Sequence, residues 1–408
     1  KRRARIMNKR PGPMETSAQP VSNAVPFYLH GLTHADGEKV AAVLGSSILT
    51  SGQIGRDVEA QLCDFFAASD AKLTNSWTNG AVAVLLAMGV GPGDEVIVPA
   101  MTFIATANVV ELVGATPVFV DVDPATQLID LSAVRAAITD RTRVVMPVHL
   151  YGQMVDVAGL REITGPDIAI IEDCAHAFES NLGGMRPAAH SDAAIFSFYA
   201  TKNITCGEGG AIVSNNAPLM DHVRQTVLHG MSAGADRRFE GALYKHWEMA
   251  RLGTKANLPD LLASLLPEQI RTVEGRRQQR EDLVTRYRDA FADLDNLTLV
   301  APVSGCMSAH HLFAIAAPFG ARDRVMHELN AAGVGATVNY RAVHTMQYYD
   351  EKYGLPKYAF PHAYDWGERT LSLPLFPGLT ADEQEQVIAT VKTVFGGLDQ
   401  PLENRTPS

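Results

Sequence analysis

An α/β fold, with a mostly parallel sheet sandwiched between helices, is what this 408-residue chain predicts. Short β-branched runs alternate with helix-length segments, which demands βαβ crossovers and helices on both faces of the sheet. The length exceeds that at which one hydrophobic core stops growing, so a large domain and a smaller C-terminal α+β domain are expected. An apolar fraction of 46% with 20% charged residues is that of a globular protein. No apolar run approaches the roughly 20 residues that cross a bilayer.

Residues 1–26 mix cations, beginning KRRARIMNKR, with Pro, Ser and Asn and show no apolar period, so they read as a disordered leader. No apolar stretch of export-signal type follows the basic start. Around 55–68, Val58, Leu62, Phe65 and Phe66 fall on one helical face, and EVIVP at 95–99 is a short apolar strand. A helix over 102–113, the strand PVFVDV, a helix near 131–138 and the strands RVVMPVH and IAIIED continue the alternation. AAIFSF and GAIVS add strands, a helix follows near 217–228, and GMSAGADRRFEG reads as a mobile loop. The large domain is thereby expected over 27–265. A long charged helix at about 267–292 opens the smaller domain, 266–408, with strands near HHLFAIAA and VGATV and helices at 322–331 and 381–396. In a doubly wound sheet the carboxyl edge of the strands holds the chemistry.

The formal charge of −10 excludes a general nucleic-acid surface and gives no long-range attraction for an anionic ligand, which local groups must therefore catch. Cys63, Cys174, Cys206 and Cys306 show neither zinc-site nor disulfide spacing, and Cys174 with His176 is too small a ligand set for a metal. Reduced thiols of a cytoplasmic protein are expected.

Two residues stand out at the predicted carboxyl edge. Asp173 closes the strand IAIIED, and Lys202 follows the strand AAIFSF in FSFYATKNITCGEGG. A lysine that condenses with an aldehyde, opposite a carboxylate that keeps a pyridine nitrogen protonated, is the pair that pyridoxal phosphate chemistry requires. Separately, Asp173 serves equally as a helix cap and Lys202 as a solvated cation. Ser197 offers a hydroxyl to the cofactor phosphate, while Gly207, Gly209 and Gly210 allow a tight turn behind the lysine or simply turn a hairpin. In TNSWTNGAVAVLLAM, Trp77 and Thr78 would present N–H groups at a helix amino end, where anions bind; capping by Ser76 or Thr78 is the plainer use. Phe103 can stack on a pyridine ring or sit in the core. His176 can hydrogen-bond around the aspartate or cofactor, or be structural.

PGDEVIVPAMTFIATANVVELVGATPVFVDVDP, VHLYGQ, IIEDCAHAFES, FSFYATKNITCGEGG and LSLPLFPGLT together resemble the DegT/DnrJ/EryC1/StrS sugar aminotransferases, within the fold-type-I pyridoxal phosphate enzymes, from about 27 to 397. KNITCGEGG, LHGMS, NYRAVHTMQYY and SLPLFPGLT are most similar to the branch acting on UDP-4-amino-4-deoxy-L-arabinose and oxoglutarate. The resemblance implies Lys202 as the cofactor-bonding lysine, Asp173 as the pyridine partner, Ser197 and Thr78 as phosphate ligands and Phe103 as the stacking ring. It further implies that Asn257 reaches the cofactor phosphate of a neighbouring subunit in a homodimer, and that Arg341 and His344 lie near the sugar nucleotide. Trp77 departs from the family's small residue at its position, and LPDLLASL from a usually more polar segment.

The expected activity is transfer of the amino group of L-glutamate, leaving 2-oxoglutarate, to a nucleotide-linked keto sugar in amino-sugar biosynthesis such as that of lipopolysaccharide. A sugar dehydratase of the same family is a second reading, against which Lys202 argues because such enzymes carry histidine there. A small amino acid as substrate is a third. A non-catalytic regulator with this fold would carry a DNA-binding domain ahead of it, for which the leader is too short and irregular.

Overall fold

The computed structural model describes residues 24–232 and 246–398. Its central sheet has seven strands in the order β1-β8-β7-β5-β4-β2-β3. These are β1 (Asp70–Thr74), β2 (Glu95–Pro99), β3 (Thr116–Val120), β4 (Thr142–Val145), β5 (Ala169–Asp173), β7 (Ala193–Ser197) and β8 (Gly210–Ser214), while β6 (Asn181–Leu182) lies outside it and pairs with β10 (Cys306–Met307). The pairs from β7 through β5, β4 and β2 to β3 are parallel; β8 runs antiparallel to both β7 and β1. Since β1 and β7 are each antiparallel to β8, their carboxyl ends lie at the same edge as those of β2 and β5. This geometry gathers the segments after β1, β2, β5 and β7 into one place.

Helices α1 (His34–Leu44), α2 (Gln53–Phe66), α3 (Trp77–Ala87), α4 (Ala105–Leu112), α5 (Leu131–Ala137), α6 (Val157–Thr164), α7 (Ala217–Thr226) and the short α8 (Asp260–Ala263) accompany the sheet. Local chemistry sets their ends. Asp130 caps α5 by accepting from the Ser132 N–H, and Asn216 caps α7 ahead of a proline in the first turn. Val58, Leu62 and Phe66, at i, i+4 and i+8 of α2, pack with Phe196, Phe198 and Val273 on one face of the sheet; α3 and α4 bury Val84, Leu85, Val109 and Val110 against the other. Phe65 is only half-buried.

The 25-residue α9 (Pro267–Phe291) enters two cores. Ile270 and Val273 pack beside α2, whereas Val284, Tyr287 and Phe291 join a separate core with Phe313, Leu329, Leu371 and Val391. That core covers a three-stranded antiparallel sheet of β12 (Thr370–Leu373), β11 (Phe313–Ala316) and β9 (Thr298–Leu299), with α10 (Arg322–Ala331) and α13 (Ala381–Gly396) against it and α11 (Gln347–Tyr353) and α12 (Pro361–Arg369) completing the order.

Several expectations are revised. Strand β1 has no counterpart in the sequence reading. VGATV is not a strand: Val334 and Thr337 make only isolated bridges, to Val25 and Ser372. Val25 is also buried, so residues 24–26 belong to the fold rather than to a leader. The expected mobile loop, from 233 onward, and residues 1–23 lie outside the described residues.

Candidate active site

At the carboxyl edge of the sheet a cavity of about 530 Å³ is lined by Trp77, Thr78, Phe103, Asp173, His176, Ser197 and Lys202, seven residues singled out in the sequence. Asp173 reaches it because it is the last residue of β5, and Ser197 because it is the last of β7. Lys202 follows one turn later, its N–H bonded to the Tyr199 carbonyl.

The Asp173 carboxylate is buried. Its Oδ2 accepts from the Thr106 hydroxyl at 2.9 Å and its Oδ1 from the Ala175 N–H at 3.1 Å. Burial pushes the carboxyl up, and those two donors with the nearby Lys202 charge pull it back. Lys202 is half-buried, and loss of hydration lowers its ammonium to about 8 although Asp173 opposes the change. Its Nζ lies 3.5 Å from His311 Nε2. His311 Nδ1 meets Asn203 Oδ1 at 3.1 Å, so it carries the proton and leaves Nε2 to accept from the lysine. Burial first, then the charge of Lys202, holds both His311 and His176 well below the usual histidine range.

His176 does not bond to Asp173. Its Nδ1 accepts from the Tyr151 N–H at 3.2 Å, and its Nε2 meets the Tyr340 hydroxyl at 3.1 Å. Phe103 is not a core residue: it is 52% exposed, with its ring 5.4 Å from that of Tyr340 across the cavity. A half-exposed aromatic face on a cavity wall is free to stack.

The opposite wall is the amino end of α3. Ser76 caps the helix, its Oγ accepting from the Asn79 N–H, and no acidic residue stands in the first turn. Trp77 turns inward, donating from Nε1 to the Ile195 carbonyl at 3.1 Å, so its bulk fills the core and leaves the helix end open to an anion. Gly210 pairs with both Thr74 and Ser197 and seats this helix end: a Cβ there would lie 2.8 Å from Ser76 C and Trp77 N.

Asn257, Arg341 and His344 do not line the cavity of their own chain. Asn257 donates to Ser51 Oγ at 3.0 Å, and its buried Oδ1 has no partner among the described residues. Arg341 is exposed. His344 is buried, with Nε2 donating to the Lys357 carbonyl at 2.9 Å and its ring against Phe360. The sequence reading missed Thr106, His311, Tyr340 and Glu208, which do line the cavity. Only Thr106, one helical turn beyond Thr102 in TFIAT, carried a local signal; His311 and Tyr340 arrive from far along the chain.

These residues fit pyridoxal phosphate. A buried carboxylate with two donors and spare acceptor capacity suits a pyridinium, a half-buried amine of lowered basicity suits an aldehyde, and a helix end with Thr78 and Ser197 suits a phosphate. Fold and cavity thus define an α/β enzyme of the fold-type-I aminotransferase class.

The model of the DegT/DnrJ/EryC1/StrS aminotransferase family matches residues 32–392, and the chain belongs to that family of pyridoxal phosphate-dependent enzymes. Spr1654 of Streptococcus pneumoniae, assigned as a sugar aminotransferase and solved in its PMP form, shares 30% identity at a TM-score of 0.85, over 91% of this chain and 99% of that one. S. venezuelae DesV, solved with a ketimine intermediate, shares 29% identity at 0.85, over 93% and 100%. Helicobacter pylori PseC, an aminotransferase in pseudoaminic acid biosynthesis, shares 25% at 0.82, over 93% and 100%.

Proposed function

We propose that this enzyme moves the amino group of L-glutamate to the keto group of a nucleotide-linked sugar, with a 4-keto sugar as the expected acceptor. The observation that carries the reading is the convergence of Lys202, Asp173, Ser197 and the α3 amino end on one cavity.

Bound there, pyridoxal phosphate supplies a ring that withdraws electrons from the α-carbon of the donor. Asp173 keeps the ring nitrogen protonated, a charge arrangement present before any reaction begins. Lys202 Nζ would hold the cofactor and would be the base that takes the α-proton of glutamate; a basicity lowered to about 8 suits an amine that must be neutral to accept it. Neutral His311 Nε2 orients that amine, and His176 fixes the Tyr340 hydroxyl near the Phe103 ring. Thr78, Ser197 and the α3 amino end would hold the phosphate, and Phe103 would offer its face to the ring.

Asn257, off its own chain's cavity with a bare Oδ1, supports a homodimer in which each subunit completes its partner's site. Four free cysteines and the absence, among the described residues, of any helix long and apolar enough to cross a membrane support a cytoplasmic enzyme acting on a soluble sugar nucleotide. We place Arg341 and His344 toward the sugar-nucleotide end, His344 through the Lys357 segment it anchors. Lipopolysaccharide or a related glycan is the expected destination of the amino sugar.

The purified enzyme should show a visible absorbance band that glutamate removes and a keto sugar nucleotide restores, with the amino product found by mass. Lys202→Ala should reduce steady turnover to background. Repeated turnover by that variant would remove the lysine from its role, and a dehydrated product would favour the dehydratase reading.

A further inference from the structure

A second cavity, of about 360 Å³, opens on the other side of Lys202. Thr201, Lys202 and His311 line it together with the first, so the reactive amine stands where the two meet. Its remaining wall combines two guanidinium groups with apolar surface. Arg276 and Arg280, one helical turn apart on α9, both line it, facing Leu375 and Phe376.

The two arginines differ in their neighbours. Arg280 has 1% of its side chain exposed and pairs with the buried Glu179, while its Nε donates to the Ala309 carbonyl at 2.9 Å. Its Nη1 is buried and has no partner among the described residues. Glu179 pairs with Arg280, so the cation on the wall with neither a hydrogen bond nor an ion pair among the described residues is the half-buried Arg276, which feels the more distant charge of Glu268. The guanidinium of Arg276 sits against Gly31, where a Cβ would approach Nη1 to 2.9 Å. A buried N–H without an acceptor is costly, and a cation beside it makes an anion the natural occupant.

We propose that this cavity binds the distal carboxylate of the amino donor, with Arg276 as the principal contact and Arg280 Nη1 as a second donor. The proposal rests on the aminotransferase reading and deepens it. A short dicarboxylic amino acid with its amine at Lys202 would lay its methylene groups along Leu375 and Phe376 and end at the arginines. The same anion chemistry is offered by the diphosphate of a sugar nucleotide, so the test must separate the two.

Holoenzyme and its Arg276→Gln and Arg276→Lys variants would be titrated with L-glutamate and L-alanine, following loss of the visible band, and with glutarate and UDP by calorimetry. Arg276→Gln should weaken glutamate and glutarate about 10-fold or more, with Arg276→Lys between it and wild type, because a bidentate fork is lost before the charge is. Responses to L-alanine and UDP should not change. Equal weakening of alanine, unchanged glutamate and glutarate, or selective weakening of UDP would each overturn the assignment. A wild-type protein that binds glutarate through Arg276 but answers no amino donor would instead refute the transaminase reading while leaving the carboxylate site.

Discussion

Lys202 shows how far burial alone can retune a side chain. Asp173 favours the ammonium, desolvation opposes it, and desolvation wins, bringing the group to about 8 from an ordinary value of 10.5. Only the neutral amine attacks an aldehyde. The rate at which apoenzyme takes up pyridoxal phosphate should therefore rise with pH through about 8 and level off above it, a dependence readable from the growth of the visible band. A flat rate across that region would mean another group governs the step. The linked effect on folding has a defined sign. The folded-state value lies below the unfolded one, so between about 8 and 10.5 the unfolded chain binds more protons, and this residue's contribution to stability improves as pH rises through that window.

The element proposed to bind the phosphate is α3, and its position depends on a residue that belongs to β8. At Gly210 an added Cβ would meet only backbone, at 2.7 Å from the Phe196 carbonyl and 2.8 Å from Ser76 C and Trp77 N, so nothing flexible can yield. Gly210→Ala should cost about 1–3 kcal/mol, seen as a lowered melting temperature, and should weaken cofactor affinity in a dialysis titration as the helix end moves off its seat. Gly275, inside α9, is the contrasting case. None of the described residues lies within 4 Å of the point where a Cβ would stand, so Gly275→Ala should leave cofactor affinity unchanged and stabilise by up to about 1 kcal/mol through helix propensity.

Across the whole molecule, α9 ties the core around Phe196 to the core around Phe313, and the second cavity lies along the same helix. The proposed exchange of Asn257 between subunits has a consequence for mixtures. Lys202→Ala and Asn257→Ala proteins should each be impaired alone, yet a mixed dimer contains one intact site, with lysine from one subunit and asparagine from the other. Unfolding and reassembling equal amounts should recover roughly a quarter of wild-type activity if subunits pair at random. Recovery no greater than the mean of the parents would place Asn257 in its own subunit's chemistry or in structure alone.

Much of this was legible in the primary sequence because strand ends and strand-following turns are local. Asp173, Ser197 and Lys202 each occupy a fixed place relative to an apolar run, and the order of those runs implies one sheet edge. Trp77 and Phe103 were legible as positions but not in their roles, since the Ile195 carbonyl and the Tyr340 ring, which decide their orientations, come from other segments. His311 and Tyr340, both more than 100 residues beyond Lys202 and lining the same cavity, carried no local mark, and neither did the pairing of Arg280 with Glu179. The chain dictates periodicity, caps and turns by near-neighbour sterics; which distant groups share a low-dielectric cavity, and therefore which amine is basic and which guanidinium lacks an acceptor, is decided only when the two ends of α9 pack into different cores.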